Sequence, residues 1–376
     1  MEHTGVTPAG AISAPDLIDV VLGNGPFLTV YLATEAAIEN AAQRSELRWK
    51  DLRRDLAGQG VDDAILEAVD QLVPDAHLEG ECLVVIANAS GLLHVSHEPE
   101  PPTRDVGRWG ASPMIGPLLE WRQSQVPHVV ALVDRKGGDL FVFHPGGGDQ
   151  HMEAGGADDP IHKAKPGGWS QSRYQRRAEN VWEANASDVA DALVELVDKE
   201  QPRLIAVGGD VRAVELVKQA LPARVLDLVG DISGNRTPDG SVDAVAEEVT
   251  RLVATAVAAD TKDLLAKFRE ERGQADRAVE GAEDTLAALT RAQVEVLLVH
   301  ADPDDDRTVW FGPEAIPVSG RSTDLTDLGV AEAEANAGAL VDVAIRAALG
   351  TGAGIRMIPG AGGPTDGIGA ILRWRD

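Results

Sequence analysis

The sequence has little of several features that define large protein classes. Cysteine occurs once, at Cys82, so neither an intramolecular disulfide nor a cysteine-based zinc finger can form. No apolar run reaches the roughly 18 residues that a transmembrane helix needs. Residues 1–5 also lack the basic start and the apolar core of a signal peptide. We therefore expect a cytoplasmic protein without a membrane partner, in which Cys82 is a buried and unreactive thiol.

Positive charge is scarce as well. The chain has 34 Lys+Arg against 61 Asp+Glu, which gives a formal net charge of −27. Phosphate contacts need clustered lysine and arginine, so this average argues against a nucleic-acid binder, and DNA is not an expected partner. An average can hide a local exception, however. The informative segment is therefore one from which acidic residues are missing.

The composition is otherwise that of an ordinary globular protein, with 44% hydrophobic and 25% charged residues. At roughly 100–200 residues per domain, 376 residues allow two to four domains. Strand-like runs alternate with helical patterns, which predicts the α/β class. We predict an N-terminal α/β domain at 1–125, a middle domain carrying a Gly-Gly loop at 126–260, and a C-terminal α/β domain at 261–376.

The middle of the chain gives the clearest local predictions. Strands at 128–133 and 140–143 flank a glycine-containing turn, which is a hairpin signal. A helix is predicted to begin near Ser170, followed by strands at 204–207 and 223–228. This alternation predicts a partly parallel sheet.

The C-terminal third reads as a long helix followed by mixed elements. Residues 241–290 have an almost continuous helical pattern, with interruptions near Gly273 and Gly281. A strand at 294–299 and a helix at 331–349 are predicted to follow.

The strongest exception to the negative charge is the basic segment, which we define as residues 161–178, IHKAKPGGWSQSRYQRRA, without an acidic residue. Lysine and arginine can contact phosphate, glycine permits close approach to an RNA backbone, and aromatic rings can stack on bases. The alternative is a surface loop followed by a solvated basic helix start. The candidate RNA-binding residues are Lys163, Lys165, Gly167, Gly168, Trp169, Ser170, Gln171, Arg173, Tyr174, Arg176 and Arg177.

A second basic cluster lies on a predicted helix and comprises Arg44, Arg48, Lys50, Arg53 and Arg54. Acidic residues interleave with these positions, so an exposed, salt-bridged helix is the preferred interpretation. A second RNA contact is the alternative.

Three further patterns do not meet the requirements of the sites that they superficially suggest. The glycines of 350–354 follow a helix and precede a strand, whereas phosphate loops run from strand to helix. The His and Asp residues of 149–162 match no standard metal spacing, and 302–313 lacks the glycine and the glutamate of a calcium loop. We therefore expect no cofactor and no metal.

The basic segment resembles the GGQ loop of the archaeal and eukaryotic class-1 release factors and of their bacterial relatives, a superfamily that includes Pelota. In the release factors the loop reads GGQS, followed by an arginine–aromatic pair and more arginine. Residues 284–299 and 366–374 are similar to the entry and the closing strand of that superfamily's last domain. The matching positions in the loop are Gly167, Gly168, Ser170, Arg173, Tyr174 and Arg176.

This resemblance implies a three-domain, release-factor- or Pelota-like architecture with mixed sheets flanked by helices. The most similar group is the bacterial members, including the Balon-type ribosome hibernation factors of actinobacteria. The resemblance implies the ribosome as partner, with ribosomal RNA of both subunits contacted at the A site. It also implies elongation factor Tu as a partner of the C-terminal domain.

The sequence departs from the release factors where their chemistry takes place. They place a glutamine directly after the two glycines, where it orders water against the peptidyl-tRNA ester, and here that position is Trp169. An indole only donates hydrogen bonds, so it cannot hold a hydrolytic water as an amide can. The N-terminal third also lacks the Asn-Ile-Lys-Ser stop-codon motif. Both departures argue against codon-dependent termination.

Two functions remain open. The preferred one is not enzymatic: a stress-response hibernation factor occupies the A site of idle ribosomes, and its middle loop reaches the peptidyl transferase centre. The alternative is a peptidyl-tRNA hydrolase that rescues stalled ribosomes. Relatives of the Vms-type peptidyl-tRNA hydrolases place their glutamine a little after the glycines, so Gln171 is the candidate catalytic residue in that case.

Overall fold

The structure is a computed structural model that describes residues 10–35, 40–144, 149–155, 170–234, 242–274, 277–300, 305–360 and 362–375. At 170–181 and 242–243 it describes the backbone alone.

The described residues form strands along the whole chain. They are β1 (Phe27–Ala33), β2 (Cys82–Asn88), β3 (Gly91–Glu98), β4 (Val106–Gly110), β5 (His128–Asp134), β6 (Gly137–Phe143), β7 (Gln150–Gly155), β8 (Leu204–Gly209), β9 (Val229–Asp231), β10 (Ala278–Glu280), β11 (Val294–Val299), β12 (Thr308–Phe311), β13 (Val318–Ser319), β14 (Asn336–Ala339), β15 (Gly354–Met357) and β16 (Ile368–Leu372).

Helices lie between most of these strands. They are α1 (Ile18–Val21), α2 (Ala41–Gly58), α3 (Asp63–Asp70), α4 (Gly116–Ser124), α5 (Ser170–Glu200), α6 (Val211–Ala220), α7 (Ala223–Leu226), α8 (Val242–Gly273), α9 (Ala282–Thr290), α10 (Ser322–Asp327) and α11 (Leu340–Gly350). The mixed α/β class predicted from the sequence is therefore confirmed. None of the helices in the described residues combines the length and the hydropathy of a membrane-spanning segment.

The chain divides into two compact units. The terminal unit comprises Met1–Gln123 together with Thr261–Asp376, and the middle unit comprises Ser124–Asp260. The division into three domains at residues 125 and 260 stays a prediction. In the terminal unit, apolar side chains from both ends of the chain, such as Leu118 and Leu297, share one core.

The terminal unit contains three sheets among its described residues. Their strand orders are β3-β2-β1-β4, β10-β16-β11-β15 and β13-β12-β14. All described strand pairs in them are antiparallel except β11 with β15. Helices α2 and α3 cover one face of the first sheet, where Leu56 and Leu66 pack on its apolar strands.

The exposed edge of β15 is covered by the N-terminal part of the chain. Ile12 and Ile355 exchange two backbone hydrogen bonds, of 2.8 Å and 2.9 Å. The side-chain amide of Gln123 does the same for Met357, donating to its carbonyl and accepting from its N–H at 2.9 Å each. These bonds satisfy backbone groups that an open sheet edge would leave unpaired.

The middle unit is built on a sheet of order β7-β6-β5-β8-β9. Strands β5, β8 and β9 run parallel, whereas β5-β6 and β6-β7 are antiparallel. Helices α5 and α6 pack on one face, and α8 packs on the other through residues such as Val249. The predicted hairpin and the predicted partly parallel sheet are confirmed.

Two predicted elements are wrong. Residues 223–226 form helix α7 rather than a strand, and the Pro222 carbonyl accepts from the N–H groups of Val225 and Leu226 in its first turn. The predicted helix at 331–349 begins only at Leu340, because β14 is held as a strand by its pairing with β12. The predicted interruptions near Gly273 and Gly281 are confirmed, since α8 ends at Gly273 and α9 begins after Gly281.

Candidate nucleic-acid interface

The basic segment begins outside the described residues and continues into helix α5. The residues outside the described part are Lys163, Lys165, Gly167, Gly168 and Trp169. The residues on the first turns of α5, with side chains that are not described, are Ser170, Gln171, Arg173, Tyr174, Arg176 and Arg177. The helix starts at Ser170, where the sequence predicted it, and contact of these residues with RNA stays a prediction.

Helix α5 extends well beyond its contact with the end of β7. Its C-terminal half lies along the sheet, from Asn185 to Glu200, which accepts a 2.9 Å hydrogen bond from Nε2 of His144 just after β6. Strand β7 ends at Gly155, where a β-carbon would lie 3.5 Å from the Asn185 carbonyl oxygen. At a rise of 1.5 Å per residue, the backbone from Asn185 back to Ser170 spans about 22 Å. The basic start of α5 therefore stands about 22 Å along the helix from the end of β7.

The turn that joins β5 to β6 lies beside the end of β7. The Asp134 side chain shapes this turn, because its Oδ1 accepts from the N–H groups of Lys136 and Gly137 at 2.7 Å and 3.1 Å. A β-carbon on Gly137 (φ +147°) would lie 2.2 Å from the Ala154 carbonyl oxygen, and one on Gly155 (φ +84°) would lie 2.9 Å from the Gly137 Cα. Both contacts require glycine, so β7 packs closely on the turn.

Arg135 connects the same turn to two helices. Its guanidinium carbon lies 4.5 Å from the centre of the Trp182 ring on α5, which is a cation–π geometry. Its Nη2 also lies 3.4 Å from the Asp210 carboxylate, which caps α6 by accepting from the backbone of Arg212 and Ala213. The turn therefore contacts α5 and the start of α6 through a single side chain.

Asn185 completes the contact between α5 and the turn. Its Nδ2 donates to the Arg135 carbonyl oxygen at 3.0 Å, and the residue is 2% exposed. Its Oδ1 is buried without a hydrogen-bond partner among the described residues. A buried amide oxygen without a partner costs free energy, so the hydrogen bond from Nδ2 is the polar contact that favours this position.

The second basic cluster is paired with carboxylates, as the preferred interpretation predicted. Three residues outside α2 supply most of these partners: Glu35, Asp70 and Asp105. The pairs are Arg44–Glu35, Arg48–Glu35 (2.6 Å), Arg48–Asp105 (2.9 Å), Arg53–Asp70 (3.2 Å) and Arg54–Asp51 (2.9 Å). The hydrogen bond to Asp105 is the main cause that raises the pKa of Arg48. The salt-bridged interpretation is confirmed for these four arginines.

The remaining candidates also have structural explanations where they are described. The glycines of 350–354 join α11 to β15, which is the order predicted. His151 stacks on Phe141 at 4.6 Å, and no group of three or more His, Cys, Asp or Glu within the described ranges could hold a metal ion. Cys82 is fully buried, and burial raises the pKa of its thiol to about 12.

The acidic turn after β11 is described only from Asp305 onward, since residues 301–304 lie outside the described part. Arg307 donates to both carboxylate oxygens of Asp305, at 2.8 Å and 2.6 Å. This hydrogen bonding is the main cause that lowers the pKa of Asp305. The carboxylate is therefore engaged in an ion pair within the turn.

Comparison with known proteins supports the resemblance to release factors. Residues 127–274 match bacterial archaeo-eukaryotic release factor family 2. The chain is also 28% identical over 363 residues to "Uncharacterized protein Rv2629" of Mycobacterium tuberculosis (strain ATCC 25618 / H37Rv), covering 94% of this chain and 95% of that protein. The family match includes all of β5 to β9 and the whole of α5.

Among solved structures, the chain is similar to Archaeoglobus fulgidus Pelota, with 11% identity, a TM-score of 0.38, and 97% and 94% of the two chains covered. It is also similar to a chain of a model of ribosome-bound archaeal Pelota and ABCE1, with 13% identity, a TM-score of 0.40, and 100% and 99% covered.

Proposed function

We propose that this protein is a ribosome-binding hibernation factor that occupies the A site of idle ribosomes in the cytoplasm. The observation that carries the proposal is the basic segment: it has no acidic residue in a chain of net charge −27, and it leads into α5, whose first residue lies about 22 Å along the helix from the contact with the end of β7. The match of residues 127–274 to a release factor family supports a role in translation.

The charge distribution suits this role. Ribosomal RNA presents a dense array of phosphates, and the arginines Arg173, Arg176 and Arg177 lie on consecutive turns at the start of α5. The acidic remainder of the chain limits nonspecific attraction to RNA and suits contact with basic ribosomal proteins. Binding is therefore directed to one part of the molecule, which reaches toward the peptidyl transferase centre in this proposal.

Binding is preferred over hydrolysis because of one residue. Trp169 stands where the release factors have glutamine, and an indole N–H donates a hydrogen bond but accepts none. Positioning a nucleophilic water requires an acceptor, which Trp169 lacks. The alternative function, peptidyl-tRNA hydrolysis on stalled ribosomes, would have to use Gln171.

The proposal keeps the predicted domain roles. The middle domain carries the basic segment, and the N-terminal domain carries no stop-codon motif, which agrees with binding that does not read a codon. The C-terminal domain is the site for elongation factor Tu, as in the group that the sequence resembles.

One assay separates the two functions. Purified protein is mixed with ribosomes that carry labelled peptidyl-tRNA, and both cosedimentation and peptide release are measured. Stoichiometric cosedimentation without release is the expected result. Release that disappears in Gln171→Ala would instead establish the hydrolase, and an absence of both binding and release would reject both functions.

A further inference from the structure

The β5–β6 turn, residues 134–137, contacts the chain on both sides of the basic segment. Before the segment, Gly155 at the end of β7 packs against Gly137 so closely that a β-carbon would approach the Gly137 Cα to 2.9 Å. After the segment, Trp182 and Asn185 of α5 contact the side chain and the backbone carbonyl of Arg135. One four-residue turn therefore holds the strand that leads into the segment and the helix that leads out of it.

The length of α5 amplifies any rotation of the helix at this contact. From Asn185 to Ser172 the backbone rises about 20 Å, so a small rotation of α5 at the turn displaces its start by several ångströms. The 4.5 Å contact of Arg135 with the Trp182 ring lies on the segment's side of Asn185. It is therefore placed to limit rotation of α5 about the Asn185 hydrogen bond.

The chemistry of this contact favours a defined orientation. A guanidinium is planar and stacks on an aromatic face, so it fixes the angle between its own plane and the ring better than a flexible ammonium does. The Asp210 carboxylate lies 3.4 Å from the Arg135 Nη2 and adds an ion pair to the same guanidinium. Arg135 is thus oriented from two directions, by the Trp182 ring and by the cap of α6.

We infer that Arg135 is a positioning residue, which fixes the direction of the first turns of α5 through Trp182 so that the basic segment is presented to ribosomal RNA in one orientation. This inference rests on the proposed function for its purpose. The orientation itself is a property of the free protein, however, so it can be measured without a ribosome.

The measurement is a distance between two spin labels by double electron–electron resonance in the full chain. The labels are attached to Ser172→Cys near the start of α5 and to Gln219→Cys, an exposed position on α6. Cys82 is fully buried with a pKa of about 12, so it does not compete for the reagent. A second pair, Ser172→Cys with Lys199→Cys, lies within α5 alone and reports whether the helix is intact.

Arg135→Ala and Trp182→Leu are each expected to broaden the 172–219 distance distribution at least twofold. The 172–199 distribution is expected to stay unchanged. The double variant is expected to broaden the 172–219 distribution no further, because both changes remove the same contact. The matched control is Arg224→Ala, which removes an arginine that pairs at 2.7 Å with Asp198 near the other end of α5 and is similarly exposed.

An unchanged 172–219 distribution in Arg135→Ala would overturn the inference. Equal broadening in Arg224→Ala would overturn it as well, because any loss of a side-chain contact to α5 would then suffice. Broadening of the 172–199 pair would show that the helix unfolds, which also contradicts a role in orientation.

Cosedimentation with ribosomes then tests the purpose separately. Arg135→Ala is expected to weaken binding at least fivefold while the Arg224→Ala control binds normally. Broadened distances with normal binding would reject the functional purpose and leave the proposed ribosome binding intact. If the unmodified protein does not bind ribosomes, the proposed function is rejected, whereas the distance result still stands.

Discussion

Arg108 on β4 donates a hydrogen bond to the carboxylate of Asp342 in α11, although 234 positions separate the two residues. Asp342 is 4% exposed, and burial raises its pKa while the Arg108 charge opposes that change. The pair joins the two ends of the chain inside the terminal unit. Its removal therefore measures how much this contact between them contributes to stability.

Arg108→Met is expected to lower the free energy of unfolding by about 3–5 kcal/mol, because it leaves a buried carboxylate without its cation. The loss should shrink as the pH falls, since a protonated Asp342 needs no counter-charge. Urea unfolding measures both effects. The control is Arg122→Met, which breaks a pair with Asp16, more than half of whose side chain is exposed, and should cost about 1 kcal/mol or less. Equal losses in the two variants would contradict this account.

Gly137→Ala is expected to destabilise the middle unit by at least about 2 kcal/mol. The new β-carbon would meet the Ala154 carbonyl oxygen at 2.2 Å, and alanine strains at a φ of +147°. Gly58→Ala is the control, because that glycine ends a helix and a β-carbon there meets nothing within 4 Å. It should stabilise the protein by about 0.5–1 kcal/mol. Thermal unfolding of the two variants checks whether the changes in stability have opposite signs.

Asp16→Asn should change the pH dependence of stability in a defined direction. Hydrogen bonding from Arg122, at 2.9 Å and 2.8 Å, is the main cause that lowers the pKa of Asp16 from its usual 3.8. A carboxylate whose pKa is lower in the folded state stabilises the protein at any pH above its pKa in the unfolded state. That contribution is lost as the pH falls through its pKa in the folded state. At neutral pH the free energy of unfolding of the wild type should exceed that of Asp16→Asn by up to about 1 kcal/mol. A difference that grew with acid would contradict the assigned sign.

Salt dependence tests whether the basic segment contacts phosphate. If Arg173, Arg176 and Arg177 each neutralise a phosphate, reversing all three to Glu should make the slope of log affinity against log salt less negative, by about two to three. The control reverses the exposed arginines Arg212, Arg224 and Arg321, whose side chains are 54%, 52% and 78% exposed. The net charge changes equally in both, so equal slopes would remove the segment from the interface.

The sequence predicted most local elements of the middle unit but not the contacts between them. Alternating apolar residues and a glycine turn identified the β5–β6 hairpin, and the change to a helical pattern identified the start of α5. The contact of Arg135 with α5 was not visible in the sequence, because its carbonyl oxygen accepts from Asn185, 50 positions away. The strand predicted at 223–228 was wrong for a local reason: its apolar residues suit either a strand or a helix, and the chain forms helix α7 after Pro222.

Pairing across the terminal unit was equally hidden. The apolar pattern at 331–349 fits a helix throughout, yet Asn336–Ala339 pairs with β12 and becomes a strand. The covering of β15 by Ile12 and Gln123 depends on tertiary contacts over more than 200 positions, and Gln123 lies 234 positions from Met357. Local propensity contains no information about such partners.

The most direct test of the central claim is to map which ribosomal RNA lies beside the basic segment. An iron chelate tethered to Ser172→Cys generates hydroxyl radicals that cut nearby RNA when the protein is bound to idle ribosomes. The account predicts cuts clustered at the peptidyl transferase centre, which disappear when Arg173, Arg176 and Arg177 are reversed to Glu. Cosedimentation without any cut near that centre would contradict it, because the segment would then point away from the RNA that it is proposed to reach.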